Sequence, residues 1–189
     1  MVDKQGRNAN RSGKWLENQV ENTLNEYGIP SLYYKQVGTR FGQNIMKREV
    51  PGFLLKNVPY INMLGSESRG EFVLQIANKG SVRIECRKQD VAGSVDEKIP
   101  YLIGNCYSFE EKDVILILEG DGMRAAAKKF AINAAKAIAY KNVRVMTLNQ
   151  FKTWAHREFK TTKQVCSEKK NQNMTGLLKR YLANETLYN

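Results

Sequence analysis

Residues 71–89 contain two strand-like runs joined by a turn, and this hairpin sets the tightest limit on how the chain can fold. In Glu71–Ile76 the apolar Phe72, Leu74 and Ile76 alternate with Glu71, Val73 and Gln75, the period of a strand with two unlike faces. Asn78-Lys79-Gly80 is a turn signal, because Asn and Gly accept the positive φ of a tight hairpin. In the return run Val82, Ile84 and Cys86 share one face, while Arg83, Glu85, Arg87 and Gln89 share the other. Two strands alone are marginal in water, so other elements must cover the apolar face.

Candidates for that cover lie on both sides. Upstream, Ser12-Gly13 opens a helical pattern from Lys14 to Tyr27 with Trp15, Leu16, Val20 and Leu24 as its apolar positions; Gly28 and Pro30 end it. Leu32-Tyr33-Tyr34 is strand-like, Gly38–Gly42 reads as a loop, Val50-Pro51-Gly52 as a turn and Tyr60–Leu64 as a further strand. Downstream, Gly93-Ser94 precedes a helix from Val95 to around Ile103. Val114–Leu118 is an uninterrupted apolar run, as in a central strand buried on both faces. Gly120-Asp121-Gly122 breaks it. An Ala-rich helix is predicted from Met123 to Tyr140, then a strand Val143–Met146 and a helix Gln150–Phe159. The order predicts an α/β fold, a central mixed sheet flanked by helices. Residues 1–12 read as a flexible basic arm, 13–160 as one domain, and 161–189 as a basic extension with a terminal helix around Leu177–Leu187.

Charge narrows the partner. The 189 residues include 30 Lys+Arg against 19 Asp+Glu, a formal net charge of +11. Such an excess favours a polyanion, either nucleic acid or an anionic membrane surface. No apolar run reaches the roughly 18 residues of a membrane span, and Met1–Lys14 has no apolar core of a secretory signal. Nucleic acid is therefore the expected partner, no membrane is expected, and the expected location is cytoplasmic. Cys86, Cys106 and Cys166 form no CxxC pair, and His156 is the single histidine, so no zinc site of familiar spacing arises. The lone histidine also excludes nucleases built on paired histidines and argues against a Ser-His-Asp hydrolase. Gly120-Asp121-Gly122 lacks the GxxxxGK[ST] of a phosphate loop.

Two acids on adjacent strands of a basic protein suit oxygen-only binding of Mg²⁺ or Mn²⁺. At these residues the chain resembles the PD-(D/E)XK nuclease superfamily, whose signature is an acid, a spacer, then (Asp/Glu)-x-Lys on the next strand. Glu71 stands at the first acid, and Glu85-Cys86-Arg87 at the second element, extended by Gln89. Gly13-Lys14-Trp15-Leu16-Glu17 is similar to the first-helix motif, in which a glutamate projects into the site. Gly93–Tyr101 is similar to the turn and helix of a phage- and bacteria-associated branch.

The resemblance implies a restriction endonuclease-like αβββαβ core and a metal-dependent DNA endonuclease. Glu71 and Glu85 would bind Mg²⁺, with Mn²⁺ as a substitute, and Glu17 and Gln89 would assist. Arg87 stands at the motif lysine; a guanidinium can stabilise a phosphorane but, permanently charged, cannot be a general base. Lys98 on the next helix is the alternative cation, because strand alternation points Lys88 to the opposite face. Lys14, Arg69, Lys88, Ser94, Arg124 and Lys128 are the candidate DNA contacts. A homodimer would cut both strands, whereas a monomer would nick. A junction-resolving nuclease and a non-catalytic DNA-binding protein of the same fold remain alternatives. Plainer readings stand beside these: a half-solvated polar strand face decorated with cross-strand charges, Glu17 and Glu21 as solvated helix positions, His156 as a helix-surface residue, and Trp15, Trp154, Phe151 and Phe159 as packing residues.

Overall fold

Leu16, Val20 and Leu24 recur every fourth residue and are all fully buried, so the helix that carries them, α1 (Lys4–Asn25), lays a continuous apolar stripe on the sheet. Gly28, at φ 77°, supplies the left-handed residue that ends it, and its amide bonds the Asn25 carbonyl. Two expectations change here. The helix begins at Lys4, so most of the segment read as a flexible arm is helical. Trp15 is 45% exposed, because one residue of offset turns it about 100° from the stripe.

The computed structural model describes residues 4–46, 50–91 and 93–160. The basic extension 161–189 and Cys166 lie outside the described residues. After α1 come β1 (Ser31–Tyr33), a short 3₁₀ turn (Tyr34–Gln36), α2 (Arg40–Met46), β2 (Gly52–Ile61), β3 (Glu67–Ile76) and β4 (Gly80–Lys88). Then follow α3 (Val95–Ser108), β5 (Asp113–Glu119), α4 (Ala125–Lys136), β6 (Asn142–Met146) and α5, over 148–160. The strands form one sheet in the order β1-β2-β3-β4-β5-β6. β1 runs parallel to β2, the β2–β3–β4 meander is antiparallel, and β4, β5 and β6 are mutually parallel. The α/β fold with a mixed sheet flanked by helices is the one expected.

Segment 38–64 departs most from its sequence reading. The Gly38–Gly42 loop is partly α2, and a long strand β2 starts at the end of the expected Val50-Pro51-Gly52 turn and takes in only Tyr60 and Ile61 of the expected Tyr60–Leu64 strand. Pro59 inside that strand argues against it in a sequence. It is tolerated because β1 pairs only with Leu54–Lys56, leaving that edge of β2 without a partner at Pro59.

Two larger cores hold the layers, and a smaller one gathers Leu32, Ile45, Leu55, Val58 and Val73. Against one face of the sheet, α1 and α5 pack Leu16, Val20, Leu24, Phe151 and Phe159 on Phe72, Leu74, Ile84, Ile115 and Ile117. Against the other, α3 and α4 pack Ile99, Leu102, Ala131 and Ala135 on Val114, Leu116 and Leu118. β5 thus buries alternate residues on opposite faces, as its uninterrupted apolar run requires. Phe72 is 1% exposed at the centre of the first core. Phe72→Ala is expected to lower unfolding free energy by about 3–5 kcal/mol, measured by urea titration; a loss within experimental scatter would contradict this packing.

Candidate active site

The hairpin of β3 and β4 does not stay paired along its length. Its ladder runs from Ile76↔Gly80 to Phe72↔Ile84. Beyond that point β3 continues alongside β2 as far as Ile61↔Glu67, while β4 continues alongside β5 as far as Lys88↔Glu119. The two strands therefore fork, and the amide of Cys86 donates to the side chain of Glu71, Oε2 at 3.2 Å. Beside Glu71, β2 is also interrupted. Asn57 has φ 58° and falls between the pairs Lys56↔Phe72 and Val58↔Gly70. Asn tolerates this left-handed conformation better than most residues.

In the fork, oxygens converge on one cation. Arg87 Nη1 donates to Glu71 Oε1 at 2.5 Å and to the Cys86 carbonyl at 2.5 Å; its Nη2 is 3.8 Å from Glu85 Oε2. Behind Glu85 lies a second guanidinium. Arg83 is 2% exposed, bonds Glu111 through Nε at 3.1 Å, and packs against the rings of Tyr60 and Phe109. Its Nη1 is 3.9 Å from Glu85 Oε1, and neither atom has a hydrogen-bond partner among the described residues. Gly70 makes room for both: a Cβ there would stand 2.2 Å from Glu85 Oε1 and 2.5 Å from Arg83 Nη1.

This crowding sets the protonation pattern. Burial, and then the charge of Glu71, push the Glu85 carboxyl well above the usual carboxylate range. Burial would raise Glu71 as well, but its hydrogen bond with Glu85 and the Arg87 guanidinium outweigh burial and hold it low. One proton between the two acids, resident on Glu85, accounts for both directions. Glu17 is raised by burial and then by Glu71. Mutual repulsion of this kind is what a bound cation relieves.

The donor set fits a hard divalent cation. Among the described residues no three acidic, His or Cys side chains gather as a ligand group. Two carboxylates and one carbonyl nevertheless surround the guanidinium, and a buried carboxylate oxygen stays unsatisfied. Oxygen-only ligation with positions left for water and phosphate is the habit of Mg²⁺. Glu71, Glu85 and the Cys86 carbonyl would hold it, with Arg87 displaced.

The remaining candidates divide. Glu17, Glu71, Lys14 and Arg69 line one cleft of about 310 Å³ beside the fork. Gln89 is buried and committed elsewhere, donating to the Gly122 carbonyl and accepting from the Val95 amide, so it ties the end of β4 to α3. Lys98 is exposed on α3 and makes no ion pair with either acid. Lys88 does point to the opposite face, where it pairs with Asp90 and lies over Trp15. Arg124 pairs with Asp96, Lys128 donates to the Gly120 carbonyl, and Ser94 is exposed at the start of α3.

Several residues escaped the sequence reading. Lys56, Tyr33 and Glu21 line the same cleft. Glu21 is no solvated position; it holds Lys56 at 2.7 Å and accepts from Ser31. The polar strand face is likewise not solvated, since Arg83 and Glu85 are each 2% exposed. The spacing of Glu17 and Glu21 by four hinted at a shared helix face. Nothing local marked Lys56.

A six-stranded mixed sheet flanked by helices, opening at a pair of acids, places this protein in the restriction endonuclease-like class of α/β proteins. The family model for the PD-(D/E)XK nuclease superfamily domain matches residues 8–159, and the chain belongs to that superfamily. Its members are typically phosphodiesterase nucleases and usually use a divalent metal. A search of curated proteins finds no match.

A carboxyl raised in the folded state adds stability that is complete below its unfolded value of about 4.3 and is lost as pH rises through the folded value. Glu85→Gln keeps the neutral form at every pH. With metal chelated, the variant is expected to lose less stability than the parent as pH rises above about 4.3. Equal slopes in urea titrations would show that Glu85 is ionised throughout. Arg83→Met, which strands Glu85 and Glu111 without their buried partner, is expected to cost about 3–5 kcal/mol in the same assay.

Proposed function

We propose that this protein is a Mg²⁺-dependent endodeoxyribonuclease, with Mn²⁺ as a working substitute. One observation carries the reading: in the fork between β3 and β4, Glu71, Glu85 and the Cys86 carbonyl gather around the Arg87 guanidinium, an oxygen set that a divalent cation could take over. Glu71, Glu85 and the Cys86 carbonyl would hold a metal whose chemistry there would be to polarise the scissile phosphate and lower the pKa of an attacking water. Glu71 and Glu85 hold and orient it. Arg87, freed from the acids, turns its guanidinium to the non-bridging oxygens and stabilises the charge of the phosphorane; it takes no part in proton transfer. Glu17, facing the same cleft, accepts a hydrogen bond from the attacking water. Gln89 is a positioning residue that fixes the end of β4.

The cations of the cleft, Lys14 and Arg69, contact phosphate, and the net charge of +11 adds a sequence-independent attraction to DNA. Lys88, Arg124 and Lys128 each have a protein partner and would contribute by exchanging it for phosphate, and the exposed Ser94 hydroxyl would add a further contact. Lys98 is a surface cation of α3 in this reading. The Gly93–Tyr101 block supports a phage or bacterial branch, and a homodimer would supply the second site for a double-strand cut.

A second reading has its own support. Arg87 already neutralises both acids, as it would in a DNA-binding protein that has lost catalysis. Plasmid cleavage in Mg²⁺ or Mn²⁺ separates the two. The parent is expected to cleave, and Glu71→Ala and Glu85→Ala to lose at least about 100-fold in rate while keeping DNA affinity. Mn²⁺ binding followed by electron paramagnetic resonance should disappear in both variants and persist in Arg87→Ala. A parent that binds DNA without cleaving it, and gains Mn²⁺ binding only when Arg87 is removed, would establish the non-catalytic reading instead.

A further inference from the structure

Beside the two acids lies a group of side chains that the reaction above does not use. Tyr33 in β1 stands next to Lys56 in β2, and Lys56 next to Phe72 in β3, the residue after Glu71. The parallel register of β1 and β2 thus lays an aromatic ring and an ammonium along the floor of the cleft. Lys56 Nζ is 4.7 Å from the Tyr33 ring centroid. Its position is set from above by α1, where Glu21 accepts from Nζ at 2.7 Å and is itself fixed by the Ser31 hydroxyl. An ammonium has three donors, so this bond leaves two for a ligand. Tyr33 is 41% exposed at the mouth of a cleft that Glu71 also lines, and Lys35 Nζ lies 6.0 Å from the same ring centroid.

We propose that this cleft is a subsite for one nucleotide of an unpaired DNA strand, the neighbour of the scissile phosphate. The inference rests on the nuclease reading and adds the substrate class. Lys56 takes the phosphate of that nucleotide, and the Tyr33 ring stacks its base. A volume of about 310 Å³ is at the lower end of the range for small-molecule sites, about 300–1,000 Å³, and matches a single nucleotide unit rather than a duplex groove. Ring stacking needs an open base face, which duplex DNA keeps inside its own stack and a single strand offers freely. The chain beyond Tyr33 continues the same chemistry. Tyr34 and Phe41 are 45% and 49% exposed, and Lys35 and Arg40 are interleaved with them. Alternating exposed rings and cations form the usual track for a single strand.

Fluorescence anisotropy of the full chain in chelator tests this without cleavage, using labelled oligo-dT and a blunt hairpin duplex. Tyr33→Ala is expected to weaken oligo-dT binding about 5- to 100-fold, to leave the duplex within about twofold, and to be rescued by Tyr33→Trp. Lys56→Ala should reduce the slope of log affinity against log salt on oligo-dT by about 0.7, one phosphate contact. Equal losses on both ligands, no loss on oligo-dT, an unchanged salt slope, or no binding to either ligand would overturn the subsite. The nuclease reading fails separately. Tyr33-dependent strand binding in a protein that never cleaves plasmid would leave the subsite standing alone, and acid-dependent cleavage with Tyr33-independent binding would do the reverse.

Discussion

The carboxylate of Glu71 stands in for a missing hydrogen bond of the sheet. Where β3 leaves β4, the amide of Cys86 would be left without a strand acceptor, and a buried unsatisfied amide costs about 1–3 kcal/mol. Glu71 Oε2 accepts from it at 3.2 Å, which lets the strands part without that penalty. Its other oxygen holds Arg87. The same side chain therefore opens the sheet and supplies a ligand for a cation in the opening. Gly70 beside it keeps the space into which Glu85 and Arg83 fit.

The charges in this opening alternate in sign. Glu111, Arg83, Glu85, Arg87 and Glu71 follow one another at 3.1, 3.9, 3.8 and 2.5 Å. The chain begins among the rings packed under α3 and ends at the cleft under α1. Isolated charges so deeply placed would be expelled or neutralised. Alternation lets each offset its neighbours, with Glu85 the member that keeps a proton when no metal is present. A divalent ion held by Glu71 and Glu85 would take the place that Arg87 has in this sequence of charges.

The cleft is shaped by elements far apart in the chain. β1 is only three residues long, yet its parallel pairing sets Tyr33 beside Lys56. α1 crosses above with Glu17 and Glu21 four residues apart on one face, so one acid faces Glu71 and the other holds the lysine. Tyr33, Lys56 and Glu21 thus join Glu71 in one cleft from three separate elements.

The residues themselves determined the hairpin, the buried strand at Val114–Leu118 and the flanking helices, because period-two alternation, an unbroken apolar run and a four-residue apolar stripe each have one economical way to be buried. They also placed Glu71, Glu85 and Arg87 on one predicted hairpin, while the expected roles of the three came from the resemblance to the PD-(D/E)XK superfamily. Segment 38–64 was not legible: Pro59 and Asn57 are poor strand residues by propensity and are accepted in β2 only through its pairing with β3 and its open edge. Only the tertiary structure decided that the polar face of β4 is buried, that Gln89 ties down α3, and that Lys56 and Tyr33 join the cleft. Each of those outcomes depends on which distant element packs against a residue. Strand register and helix placement are settled by the burial of the whole sheet, and no local pattern in one segment can specify its neighbour.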